Sequence, residues 1–225
     1  MRDYIIMTDS CCDLSQQEVE ELELTVLPLS FTIEGKTLLN TPDHADMSPE
    51  EFFAKIAAGA DCTTAAVNVG QFTDAMEKVL QEGKDILCVC FSSALSTTYQ
   101  SACIAAEDLR EKYPEAKILV IDSLSASRGQ GMLLYRAVRE RREKNLTIDE
   151  LDAYVRSIIQ SQCHWFIVDD LNHLKRGGRV SACGDAERGE HGNDRRTAVG
   201  EERQRQAHDR QQTDIHKDIH KGLEQ

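Results

Sequence analysis

Hydroxyl and carboxylate side chains collect at three places where an apolar run breaks off. Thr8-Asp9-Ser10 follows residues 4–7, Asp122-Ser123 follows residues 118–121, and Ser92-Ser93, with Ser96, Thr97 and Thr98 close behind, follows the unbroken run 86–91. A fourth pair, Thr63-Thr64, precedes a helical pattern. Hydroxyls placed ahead of a helix, together with the N–H groups of its first turn, form a neutral cradle for an anion. The stretch 92–98 contains no lysine, arginine or metal-ligating residue. That chemistry suits a carboxylate or a single phosphate better than a triphosphate.

Other readings of the same residues are weaker. Asp9 at the end of a first strand could be a phosphoryl-accepting nucleophile, working with the Ser92-Ser93 loop in an α/β phosphotransferase or hydrolase. Such sites usually carry a second aspartate two residues on, and Cys11 stands there. The competing reading is a turn in which Asp9 and Ser10 cap the next element. Gly129-Gln130-Gly131 after Asp122-Ser123 lacks the Gly-Lys-Ser/Thr of a phosphate loop. His164 and His173 have no carboxylate at ligand spacing, so neither a metal nor a cofactor is expected. Lys175-Arg176-Gly177-Gly178-Arg179 is the one basic knot of the body: a solvated turn, or an arginine clamp for a phosphate or an acidic partner.

The elements that must hold these loops alternate. Strands are predicted over 4–7, 25–33, 86–91, 117–121 and 164–168. Helices are predicted from Ser15 to Glu21, from Ser48-Pro49 onward, and over 69–82, 98–112, 128–143 and 147–162. Ser15 with Glu18, and Thr147 with Glu150, have capping-box spacing, and Pro49 suits a first helical position. Pro28 cannot donate to a ladder, so the strand over 25–33 is at an edge or broken there. The alternation implies an α/β fold, with a doubly wound, mainly parallel sheet flanked by helices. Ligands of such sheets sit beyond the carboxyl ends of the strands, where the hydroxyl clusters lie.

The net charge of −13 argues against nucleic acid or an anionic membrane as a main partner. No segment has the length and apolarity of a bilayer span, and the N-terminus does not resemble a secretion signal, so the expected location is cytoplasmic. The eight cysteines then read as reduced thiols, mostly small buried hydrophobes, with Cys88 and Cys90 on one face of a strand.

The chain changes character near residue 183. From 184 to 225 the only aliphatic or aromatic residues beyond alanine are Val199, Ile215, Ile219 and Leu223. Such a stretch cannot bury a core, and its Arg-rich text resembles out-of-frame translation, a natural disordered tail being the alternative. The expected organisation is an N-terminal α/β lobe over 1–160, the beginning of a second α/β lobe over 161–183, and a polar tail over 184–225.

Several segments together resemble one family. Thr8-Asp9-Ser10, followed by Asp13-Leu14, is similar to the T-D-S-x-x-D-L opening of the DegV family. Residues 92–102 are similar to its S-S-x-L-S-G-T-Y-Q-S-A loop. Asp122-Ser123 and residues 170–179 resemble its D-S and D-L-x-x-L-x-x-G-G-R segments. The resemblance implies a non-enzymatic carrier that binds a long-chain fatty acid between two α/β lobes and presents its carboxylate to a fatty acid kinase. It further implies that Thr64 and Ser92 or Ser93 hold the carboxylate. Asp9, Ser10, Asp122 and Ser123 would support the loops, and Arg179 would face the partner. The departures are Ala65-Ala66-Val67-Asn68 where the family has S-Q-P-S, Thr97 where it has glycine, and the polar tail in place of the second lobe's remaining helix and strands. With one wall of the tunnel replaced, the expectation is an impaired carrier of low stability.

Overall fold

The computed structural model describes residues 2–163, nearly all within one compact unit, Met1–Gln162. The expected strand at 164–168, the start of a second lobe, Arg179 and the polar tail lie outside the described residues.

The chain runs β1 (Tyr4–Asp9), a 3₁₀ turn (Ser10–Cys12), α1 (Gln16–Glu21), β2 (Leu24–Leu27), β3 (Leu29–Ile33), β4 (Lys36–Asn40) and α2 (Pro49–Ala57). There follow β5 (Cys62–Ala65), α3 (Val69–Gln81), β6 (Asp85–Cys90), α4 (Thr98–Lys112), β7 (Ile118–Asp122), α5 (Ser127–Lys144) and α6 (Ile148–Ile159). Local chemistry sets several ends. Ser15 and Thr147 close capping boxes with Glu18 and Glu150, and Asn68 does the same with Gln71. Ser48 accepts the Glu51 N–H, with Pro49 in the first turn of α2.

The four strands β2-β1-β6-β7 form one parallel sheet in that order. Alternation along its central strands feeds two cores. Ile6, Leu87, Val89 and Ile121 pack against Leu133, Leu134, Leu151 and Val155 of α5 and α6. Met7, Ile86, Cys88 and Val120 pack against Phe72 and Met76 of α3 and Ala102 and Ala105 of α4. Every residue of β6 is buried, as a strand covered on both faces must be. The α/β, doubly wound architecture is thus present. The chain leaves β1 toward β2 on one side and reaches β6 on the other, so a switch point lies between β1 and β6.

A second, antiparallel sheet of order β4-β3-β5 goes beyond the sequence expectation. Pro28 is where the predicted strand over 25–33 divides: β2 stays in the parallel sheet and β3 enters the antiparallel one. Glu34 and Gly35 both take positive φ, 52° and 76°, which makes the β3–β4 hairpin turn. β5 contains Thr63 and Thr64, which the sequence reading leaves in a loop before α3. Its four residues, Cys-Thr-Thr-Ala, carry too little apolar alternation to announce a strand.

The described cysteines are free, and Cys12, Cys88 and Cys90 are buried. The Cys88 and Cys90 sulfurs lie 3.5 Å apart on one strand face. Burial pushes the Cys12 thiol up to about 11, and the adjacent Cys88 sulfur together with burial raises Cys90 well above the ordinary thiol value. Both are therefore protonated packing groups near neutrality. Among the described residues, no cluster of His, Cys, Asp or Glu could hold a metal ion, and no helix is long and apolar enough to cross a membrane.

Candidate functional site

The carboxyl ends of β1, β6 and β7 meet at the switch point, and backbone N–H groups there converge on two aspartates. Asp9 is fully buried. One of its carboxyl oxygens accepts the Cys11 N–H at 3.1 Å, and the other accepts the Phe91 N–H at 2.7 Å. It therefore starts the 3₁₀ turn and ties the end of β1 to the exit of β6. Burial is the largest influence on its pKa and raises it, while the N–H groups of Phe91 and Cys11 pull the other way. Both oxygens of Asp9 face amides, which places it as a strand-end brace.

Asp122 does similar work at the end of β7. Its Oδ1 accepts the N–H of Ser93 at 3.1 Å and of Leu124 at 3.0 Å. The parallel ladder runs on beside it: Ser123 N–H donates to the Cys90 carbonyl and Ser92 N–H to the Ser125 carbonyl, each at 3.1 Å. Ser123 and Ser125 also exchange hydroxyl and backbone bonds within their own turn.

The two adjacent serines separate sharply. Ser92 is buried: its hydroxyl accepts the Ala94 N–H at 3.3 Å and its carbonyl accepts those of Leu95 and Ser96. Ser93 is exposed and held through its N–H. The Thr98 N–H is taken by the Ser96 hydroxyl at 3.2 Å, so the first turn of α4 is less open than the sequence suggests. Thr97, at its N-cap, makes no side-chain cap of its own.

Ser10 points elsewhere. Its hydroxyl accepts the Leu29 N–H at 3.0 Å and the Asn40 side-chain amide at 3.3 Å, which fastens the antiparallel sheet to the end of β1. Thr64 lies on β5 opposite Phe31, with its side chain exposed. Among the described residues it makes no hydrogen bond to Ser92 or Ser93. The site thus brings together Asp9, Ser92, Ser93, Asp122 and Ser123; Ser10, in the 3₁₀ turn after β1, directs its hydroxyl to the neighbouring sheet, and Thr64 lies on that sheet.

One participant escapes the sequence reading. Gln130 on α5 is fully buried behind the switch point, and its amide donates to the Thr8 hydroxyl at 2.9 Å, which donates in turn to the Val89 carbonyl at 2.7 Å. A signal exists: Gln130 is the polar member of the stripe Leu133, Leu134, Ala137 and Val138, and a polar group on a buried helix face needs a partner. Gly131 has a packing reason, since a Cβ there would stand 2.8 Å from the Cys12 carbonyl oxygen. Gly131, one of the two glycines that imperfectly resemble a phosphate loop, therefore lets α5 close against the 3₁₀ turn.

Comparison with known proteins identifies the family and the fold. The family model described as "Uncharacterised protein, DegV family" matches residues 4–186. A DegV domain-containing protein of Clostridium perfringens is 39% identical over 182 residues, covering 81% of this chain and 62% of its own length. Among solved structures, a stearic-acid-binding protein from Eubacterium ventriosum superposes with a TM-score of 0.72 at 27% identity, over 80% of this chain and 62% of its own. A fatty-acid-binding DegV family protein from Thermus thermophilus gives 0.70 at 30% identity, over 82% and 63%. The chain thus spans somewhat under two thirds of the length of these relatives. With the family model covering most of its residues and the strand-end loops in their expected places, the chain belongs to the DegV family.

Proposed function

We propose that this chain supplies the carboxylate-holding lobe of a long-chain fatty-acid-binding carrier, with the Ser93 hydroxyl as a donor to the acid. The observation that carries the reading is the contrast at the end of β6: Ser92 is buried, with its hydroxyl accepting the Ala94 N–H of the turn, whereas Ser93 is exposed and braced through its backbone N–H. Charge-assisted hydrogen bonds to a carboxylate are worth about 1.5–3 kcal/mol each. Burial of the acyl chain adds about 0.8 kcal/mol per CH₂. Thr64 is the second proposed donor, offered from the antiparallel sheet. The likeness to proteins described as binding stearic and other fatty acids supports the acyl ligand.

The same reading extends to a fatty acid kinase that receives the presented carboxylate at a face including Arg179, and to a cytoplasmic location. It places the lobe boundary near residue 160, with residues 161–183 opening the second lobe. The chain acts as a carrier and not as an enzyme. The phosphotransferase or hydrolase alternative is disfavoured because Asp9 is buried with both carboxyl oxygens facing backbone amides.

Native mass spectrometry of the purified chain with added stearic acid tests the reading. Only a weak acyl adduct, well short of one-to-one, is expected, because the polar stretch 184–225 stands where the family has the rest of its second lobe. That adduct is lost in the double variant Thr64→Val, Ser93→Ala. An adduct that the double variant leaves unchanged would sink the reading, as would turnover of a phosphate ester abolished by Asp9→Asn; a one-to-one adduct would instead overturn the expected impairment.

A further inference from the structure

We propose that Asp122 is the positioning residue of this site: its carboxylate acts as a replacement for a strand, holding the Ser93 amide so that the Ser93 hydroxyl faces outward. The inference rests on the fatty-acid reading above for the ligand, and on hydrogen-bond geometry for the brace itself.

Parallel strands β6 and β7 are in register up to Cys90 and Asp122. One step further the two chains are still tied by backbone bonds, Ser123 N–H to Cys90 O and Ser92 N–H to Ser125 O. Beyond that the chains diverge into separate loops, and the next donor, Ser93 N–H, meets no backbone acceptor among the described residues. The Asp122 side chain takes it at 3.1 Å and simultaneously takes Leu124 N–H at 3.0 Å. One carboxyl oxygen therefore sets the exits of two strands against each other.

This arrangement has a chemical consequence. With its N–H engaged, Ser93 can offer a ligand its hydroxyl but not its amide, so recognition at this residue is by a single, oriented O–H. A carboxylate used this way also sits close to the place proposed for a ligand carboxylate, where its charge disfavours the anion. Asparagine would keep the acceptor in the same position without the charge. Glutamate would keep the charge and move the acceptor by one methylene. Geometry and charge can therefore be separated at this position.

The test uses the 225-residue chain as wild type and as Asp122→Asn, Asp122→Glu and Asp122→Ala. Two quantities are measured: the hydrogen-exchange rate of the Ser93 amide by NMR, and the affinity for stearic acid by displacement of a fluorescent fatty acid. Loss of one such hydrogen bond corresponds to roughly a threefold to tenfold change. Asp122→Asn should match the wild type in exchange and bind stearate equally or more tightly. Asp122→Ala and Asp122→Glu should exchange faster and bind more weakly by that factor. If Asp122→Ala does not fold, the Asn and Glu variants decide the question between them. Unchanged exchange in the Glu and Ala variants overturns the proposal, and so does an Asn variant that loses as much as Ala while Glu retains wild-type behaviour. Stearate affinity too weak to measure in the wild type, or left unchanged by Thr64→Val with Ser93→Ala, bears on the fatty-acid reading alone; the Ser93 exchange rates then still decide for or against the brace.

Discussion

The two sheets carry the two halves of the proposed site, and they are built to different standards. The parallel sheet is buried on both faces, and each hydroxyl loop at its carboxyl end is cross-linked to a neighbour through Asp9, Asp122 or a backbone bond. The antiparallel sheet has one sparsely covered face. Of β3 only Ile33 is buried, β4 and β5 have no buried residue, and α2 above them has none either. Phe52 meets Phe31 edge-on at 5.3 Å, but the next residue, Phe53, is 66% exposed. One half of the site is therefore pre-organised, and the other hangs on a hairpin tied to the first through Ser10. Position is fixed where packing is dense, and Thr64 sits where it is not.

The difference can be broken most forcefully at the rigid half. Gly131→Val forces side-chain atoms into the Cys12 carbonyl, already 2.8 Å from a bare Cβ, where the obstacle is backbone and cannot swing away. A loss of about 3 kcal/mol is expected in urea unfolding; a loss under about 0.5 kcal/mol would mean that α5 does not press on the 3₁₀ turn.

A paired measurement sharpens the contrast itself. Leu87→Ala, at a fully buried position of β6, should cost about 3 kcal/mol. Leu39→Ala on β4, with 41% of its surface exposed, should cost no more than about 1 kcal/mol. Equal costs would refute the claim of unequal packing.

The smallest effect is a pH dependence at the brace. Burial raises the Asp9 pKa above its ordinary 3.8, so the folded state holds this proton more tightly than the unfolded chain. Its stabilising contribution is complete below 3.8 and is lost as pH rises through the folded value. Asp9→Asn cannot titrate, and it turns an amide N–H toward one of two N–H donors, so it is less stable than wild type at low pH. That deficit should shrink as pH rises above about 4, in thermal melts across the range. A deficit that grows with pH would show that the Phe91 and Cys11 amides outweigh burial.

Much of the rigid half was legible from residue order. The apolar run 86–91 announced a strand covered on both faces, and the capping boxes at Ser15 and Thr147 announced helix starts, because both signals are local. The alternation of elements gave the doubly wound class, and the hydroxyl clusters fell at strand ends as expected. The antiparallel sheet was not legible. β4 and β5 alternate weakly and have no core to face, so their pairing is non-local. The division at Pro28 was visible as a break but not as a change of sheet.

Residue types alone determined that a neutral, hydroxyl-rich cradle stands at the end of an apolar strand, and that no lysine or metal ligand lies within it. Tertiary structure decided which of the adjacent hydroxyl residues is exposed. Ser92 and Ser93 are the same residue type side by side, but one is buried in the turn and the other is exposed. The register of β6 against β7 brings Asp122 beneath the Ser93 amide, and that is a relation between residues 29 positions apart in the chain. Hydrogen-bond direction across a sheet depends on which strands are neighbours, and no local pattern encodes that.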